Sequence, residues 1–270
     1  MTASAATTRP STNLSRLLRS RDLLFMLAWR DVRVRYKQSL MGLLWAILMP
    51  AIIVGAGALV RFGVARLTNS AITVDDIASV MVRAVVWAFF IGAVRFGTNS
   101  LITNPSLVTK IAFPKEVFPI AAVISNAFDF IVASAVVGAA LLVIGWRPSP
   151  LALWALPLLA LLGLQVTGMV LILSALNLFY RDVKYLVEVL LTYAIFFTPV
   201  LVPASFAGEW RHIVMLNPVA PILEAISDTV VSHKHPEWLW TAYSAAVSLA
   251  LLAGGYWLFK RLEAQFAERL

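Results

Sequence analysis

Six stretches of this chain are long, apolar and nearly free of charge: 40–60, 77–101, 117–146, 151–180, 185–206 and 239–259. A helix needs about 20 mostly apolar residues to cross a hydrocarbon layer roughly 30 Å thick, and it satisfies its own backbone polar groups there. The six runs therefore predict an all-α membrane protein of six transmembrane helices, organised as a single domain over residues 1–270. Composition agrees, since 60% of the residues are hydrophobic and only 13% charged, more apolar than a water-soluble core of this size requires. The run at 77–101 is the least regular, because Arg83 and Arg95 interrupt it. These two lie about 18 Å apart along a helix, which predicts that they snorkel to opposite surfaces.

An even number of spans returns both termini to one side, and the Lys and Arg residues of the connecting segments decide which side that is. Eight basic residues lie between Arg9 and Lys37. Lys110 and Lys115 follow the second run, Arg181 and Lys184 the fourth, and Lys260, Arg261 and Arg269 the sixth, so fifteen share the side of the termini. The other side holds five: Arg61, Arg66, Arg147, Arg211 and Lys234. This asymmetry predicts that both termini are cytoplasmic. The net charge of +8 is then a matter of topology and of contact with anionic membrane lipid, with no nucleic acid as partner. Residues 1–13 are polar and arginines follow them, so no cleavable leader is expected. The absence of cysteine excludes disulfides, zinc thiolate clusters and thiol nucleophiles.

Three segments outside the runs carry patterns of their own. Within 14–37, Phe25, Ala28, Trp29, Val32 and Tyr36 recur at helical spacing, while Arg30, Arg33 and Lys37 occupy another face. This predicts an amphipathic interfacial helix whose arginines either anchor the chain or hold a phosphate-bearing substrate. Residues 104–116 predict a short helix outside the membrane, with Asn104 as N-cap, Pro105 in the first turn and Pro114 at its end. Leu107, Val108 and Ile111 would share a face, with Lys110 beside them and Phe113 at the end. That face suits a groove on a cytoplasmic partner, or it lies idle on the surface. From Ile213 to Val231 the chain is apolar but broken by Asn217, Pro218 and Pro221, so short re-entrant helices are expected before the last span.

The ionisable residues give little support to chemistry. Glu224 and Asp228, one turn apart, read as a solvated face more readily than as an acid–base pair. His233 and His235 have no third ligand near them, so no metal site is expected. Asp129 and Glu188 are the only acids inside the six runs. Glu188 sits near Arg181 and Lys184 at a boundary, and Asp129 is explained by a polar contact with Asn126 or Ser125 rather than by a proton relay. The chain contains no G-x-x-x-x-G-K-[ST] loop, no G-x-S-x-G elbow and no H-E-x-x-H. No catalytic residue is assigned: the protein is expected not to be an enzyme, and any ATP hydrolysis must belong to another subunit.

Taken in order, several stretches resemble one family, the type-2 ABC exporter permeases for polysaccharides, which include O-antigen, capsule-related and teichoic-acid exporters. They are Ala28-Trp-Arg-Asp-Val-Arg-Val-Arg-Tyr-Lys37, Leu40-Met-Gly-Leu-Leu-Trp-Ala-Ile-Leu-Met-Pro50 and Ile111-Ala-Phe-Pro-Lys-Glu-Val-Phe-Pro119. Tyr180-Arg-Asp-Val183, Phe197-Thr-Pro-Val200, Asn217-Pro-Val-Ala-Pro221 and the basic tail from Lys260 complete the series. The resemblance implies a homodimer joined to two copies of a cytoplasmic ATP-binding subunit, which would hold the ATP and Mg; this chain itself would carry no cofactor. The substrate it implies is a polyprenyl-linked glycan crossing the bacterial inner membrane. It also implies a gate at Trp29, Arg30, Arg33, Arg35 and Tyr36 that meets lipid phosphate. Coupling to the ATPase would involve Leu107, Lys110, Ile111, Phe113, Lys115 and Glu116. Trp45, Tyr193, Phe196 and Phe197 would line the channel and stack on sugars, or simply pack against lipid and helices. Two alternatives stay open: a permease of the same family for a drug or small lipid, and a membrane enzyme on a polyprenyl phosphate using Glu224, Asp228 and His233.

Overall fold

The computed structural model describes residues 21–37, 44–68, 71–110 and 113–269, and every regular element among them is helical. Helix α1 (Arg21–Lys37) is followed by α2 (Leu44–Thr68), α3 (Val74–Asn99), the short α4 (Pro105–Lys110), α5 (Val117–Val143), α6 (Ala155–Phe179) and α7 (Val183–Ala194). Then come α8 (Arg211–Met215), α9 (Ala220–Ser227), α10 (Trp238–Leu262) and α11 (Phe266–Arg269). Among the described residues, four stretches are long and apolar enough to cross a membrane: α3, α5, α6 with the 3₁₀ turn before it, and α10 with the turn after it. They overlap the expected spans at 77–101, 117–146, 151–180 and 239–259. The run at 40–60 falls largely within α2, a helix of 25 residues. Its first residues, 40–43, and residues 14–20 of the expected interfacial helix lie outside the described residues.

The run at 185–206 is not one long helix. α7 ends at Ala194 after 12 residues, about 18 Å, and passes into a 3₁₀ turn over Ile195–Phe197. Thr198 precedes a proline, a position pushed out of the α region, and adopts φ −128° and ψ 139°. Its hydroxyl donates to the Ala194 carbonyl at 2.8 Å and so closes the helix end. As the prolines require, the stretch from Ala204 to Ser232 is broken helix: a 3₁₀ segment, α8, α9 and a π turn over Asp228–Ser232.

α3 is the centre of the bundle, in contact with α2, α5, α6, α7 and α9. It starts on a capping box, in which the Asp76 backbone N–H donates to the Thr73 hydroxyl and the Thr73 backbone N–H donates to the Asp76 carboxylate. Arg61 of α2 donates to the same carboxylate at 2.9 Å. Arg83 does not snorkel. It is only 2% exposed and lies 3.5 Å from Glu224 of α9, while its Nε donates to the Val200 carbonyl at 3.3 Å. A carboxylate within the bundle removes any need to reach water, and that overrides the distance argument. Arg95 is likewise paired, through Nε to both carboxylate oxygens of Glu188 at 2.8 and 2.9 Å.

α6 and α10 cross backbone to backbone. A Cβ on Gly168 would sit 2.5 Å from the Leu251 carbonyl carbon, and one on Gly255 would sit 2.4 Å from the Gly168 carbonyl oxygen. In hydrocarbon, helices associate through such close approach of small residues and through interhelical hydrogen bonds. Here Ser248 donates to Gln165 at 3.3 Å. Nearer its start, α10 also holds the broken segment: Tyr243 donates to the Leu216 carbonyl at 2.7 Å and Ser244 to the Pro218 carbonyl at 2.8 Å.

Two stability measurements in detergent check these contacts. Gly168→Ala forces the α6 and α10 backbones apart and is expected to cost about 1–3 kcal/mol, seen as a lowered Tm. Gly138→Ala, where a Cβ meets nothing within 4 Å, stays within about 1 kcal/mol of the unaltered protein. Arg83→Met strands the Glu224 carboxylate and is expected to cost about 3–5 kcal/mol, most of it recovered when Glu224→Gln is added. Equal Tm values for the single and double variants would show that the pair carries no such burden.

Candidate entrance cleft and coupling segment

α1 lies against α5, and its apolar residues divide between two faces rather than forming one. Leu27, Ala28 and Val32 are buried on the bundle, whereas Phe25, Met26 and Trp29 face outward, with the Phe25 and Trp29 rings stacked at 6.5 Å. The periodicity that placed Phe25 and Trp29 with Ala28 and Val32 could not separate a face seated on protein from one turned away from it.

The arginines of α1 have different surroundings. Arg30 is exposed and paired with its neighbour Asp31 at 2.7 Å. Arg33 is exposed. Arg35 turns inward, where its guanidinium donates to Asp129 of α5 and more weakly to Asn126 and Ser125, both at 3.4 Å. It also lies over the Phe96 ring at 4.2 Å. The Tyr36 hydroxyl donates to the second oxygen of Asp129. Burial first, and the Asp129 hydrogen bond second, push the Tyr36 phenol above its ordinary value, so it keeps the proton it donates. Asp129 is therefore the tether of α1 to α5, a stronger role than the polar contact with Asn126 or Ser125 expected for it.

Beside this tether is a cleft of about 490 Å³ between α1, the end of α3 and the start of α5. Arg30, Asp31 and Arg35 line one wall, and Asn99, Thr103 and Asn104 line another. Phe96 and Phe118 supply apolar surface. Cations, hydrogen-bonding groups and apolar walls in one opening suit an anionic headgroup with an apolar tail.

The cleft adjoins the segment that leads into α4. The Asn104 carbonyl accepts from the Leu107 and Val108 N–H groups, but the Asn104 side chain turns back to donate to the Ser100 carbonyl at 2.9 Å. It ties α4 to the end of α3 instead of capping it. Val108 is buried and Leu107 half-buried in a cluster with Leu101, Phe113, Phe118 and Phe266, so the apolar face of α4 seats the helix on its own bundle. Ile111 and the Lys110 side chain lie outside the described residues. Phe113 is half-buried against Phe118, with ring centroids 5.4 Å apart, and lies beside the Lys115 ammonium. Glu116 is fully buried and accepts from Lys260 at 2.7 Å.

Of the proposed channel residues, Tyr193, Phe196 and Phe197 are exposed along the end of α7 and the turn after it, while Val187 and Leu191 face the bundle. The Trp45 side chain lies outside the described residues. At the opposite end from α4, Glu224 is no solvated residue. It is held by Arg83 and by the Ala204 N–H at 3.0 Å, and burial pushes its carboxyl above the ordinary range against these two contacts. Asp228 is raised by burial too. His233, at φ 53°, packs its ring against Trp146. The sequence reading missed the pairs Arg83–Glu224, Arg35–Asp129 and Glu116–Lys260. Its one available signal was that a charge inside an apolar run requires a partner somewhere.

The profile of the family described as ABC-2 type transporter matches residues 22–231. The O-antigen export system permease protein RfbA of Klebsiella pneumoniae is 28% identical over 92% of this chain and 95% of its own length. The O-antigen export system permease protein RfbA of Myxococcus xanthus is 29% identical over 94% of this chain and 97% of its own length. With well over half of the sequence matched and, among the described residues, four helices long and apolar enough to span a bilayer, the chain belongs to the ABC-2 type transporter family as a multi-pass membrane permease.

Proposed function

We propose that this chain is the membrane subunit of an ATP-driven exporter that moves a polyprenyl-linked polysaccharide, O-antigen-like or teichoic-acid-like, across the bacterial inner membrane. The observation that carries this reading is the near full-length similarity to O-antigen export permeases. In the assembly we envisage, the chain pairs with a second copy and with two cytoplasmic ATP-binding subunits. The chain has no phosphate-binding loop of its own, which supports a separate motor.

The cleft beside α1 gives the substrate's lipid phosphate a place to enter. Arg30 lines it and is exposed beside its partner Asp31, while Arg35 in the same wall is held by Asp129, so capture begins on Arg30 and draws on Arg35 once α1 moves, with Arg33 adding positive charge from the exposed side of the same helix. The exposed aromatics at the end of α7 and in the turn after it, Tyr193, Phe196 and Phe197, then offer flat faces on which sugar units slide without a fixed pattern of hydrogen bonds. Residues 104–116 receive the push of the ATP-binding subunits, and the bundle changes between closed and open arrangements as their contacts change.

Reconstitution with the ATP-binding subunit in proteoliposomes checks the whole reading, since lipid-linked glycan should cross only when ATP is supplied. Replacing Arg30, Arg33 and Arg35 together by Ala is expected to reduce export about tenfold, the loss of two or more charge-assisted contacts. Unchanged export would leave these arginines as topology signals only. Phe113→Ala with Lys110→Ala should lower export per ATP hydrolysed while membrane insertion stays normal. Export that keeps pace with hydrolysis would remove residues 104–116 from coupling.

A further inference from the structure

We infer that Glu116 and Lys260 form an internal joint that passes movement of the coupling segment to the last span. Glu116 is then a positioning residue and not a contact for the ATP-binding subunit. The inference rests on the proposed reading of residues 104–116 as the segment that this subunit pushes.

The joint consists of two adjacent residues held by one helix end. The Glu116 carboxylate, fully buried, accepts from Lys260 Nζ at 2.7 Å, and the same ammonium reaches Glu263 at 2.8 Å. Glu263 in turn accepts from the backbone N–H of Lys115 at 3.0 Å. Around these groups lies an apolar clasp: Phe266, fully buried, meets Phe259 at 5.1 Å and Phe179 at 6.2 Å, and α11 lies against α4. Separating the ions would leave an unpaired charge in this clasp, so the coupling segment and the end of α10 move as one body.

Stability alone does not account for the arrangement, because a buried ion pair adds little net stability over an apolar pair of the same volume. Its consequence is mechanical. From Lys260 back to Ser244, α10 is unbroken helix of about 24 Å, a single rigid element. Its far end grips the Leu216 and Pro218 carbonyls of the broken segment through Tyr243 and Ser244. A displacement at Glu116 thereby reaches the opposite end of the bundle through one packed helix, the kind of contiguous route by which coupling is carried.

The informative variant is Glu116→Gln combined with Lys260→Met, which removes both charges of the pair at nearly constant volume and leaves Glu263, partly exposed, on the Lys115 N–H. It is reconstituted with the ATP-binding subunit, and co-purification, ATP hydrolysis and glycan export are measured. The expected result is normal association and hydrolysis with about a tenfold fall in export per ATP hydrolysed. Unchanged export per ATP overturns the joint, and so does loss of association, which would make Glu116 a partner contact. Should the double variant fail to insert, Glu263→Gln at a more accessible position is expected to lower export per ATP about threefold, and no change overturns the joint. Absence of ATP-dependent export by the unaltered complex removes the exporter reading and the joint with it. Normal unaltered export alongside an unaffected double variant removes the joint alone.

Discussion

An arginine inside an apolar helix has to meet a counter-ion within the protein or distort its surroundings to reach water. Arg83 meets Glu224, and much of the architecture follows from that contact. It places α9 and the broken segment against the first half of α3, the most enclosed helix of the bundle. The Val200 carbonyl, left without a helical partner where the prolines end the run, accepts from the same guanidinium. One side chain thus satisfies a buried carboxylate and a buried carbonyl in a segment that cannot complete its own hydrogen bonds.

The same rule governs the other end of the molecule. Asp129 takes Arg35 and Tyr36 from α1, and Glu116 takes Lys260 from α10. In each case an acid on α5 or at its entry collects a long helix from near one end of the described chain. α5 is therefore a collector at this end, while α6 and α10 are held together by contact between Gly168 and Gly255. Polar contacts decide which elements meet, and small residues decide how closely they meet.

For transport these two kinds of contact have different consequences. A backbone-to-backbone crossing has no alternative arrangement nearby, whereas an ion pair at the edge of a cleft has one as soon as a competing anion arrives. The Arg35–Asp129 pair stands beside the cleft, and the Glu116–Lys260 pair is shut away from it. On the proposed reading the first is exchanged as substrate enters and the second is kept as the cytoplasmic segment moves.

By itself the sequence determined the class of the protein and much of its layout. Length and apolarity are local properties, so the long apolar helices overlapping 77–101, 117–146, 151–180 and 239–259 were legible, as were the broken segment around Asn217, Pro218 and Pro221 and the family pattern. What only the tertiary structure decided was which face of each element turns inward and which charges meet. Thr198 ended α7 before a full span was complete because of the proline that follows it, a local signal present in the sequence although the run was drawn past it to 206. Leu107 and Val108 read as one apolar face, and a helical pattern marks such a face without recording the Phe113, Phe118 and Phe266 cluster that packs with it. Glu224 looked solvated because its neighbour at one helical turn is also acidic, while its true partner lies 141 positions earlier in the chain. Pairs so distant are set by the packing of whole helices, and no periodicity within either helix records them.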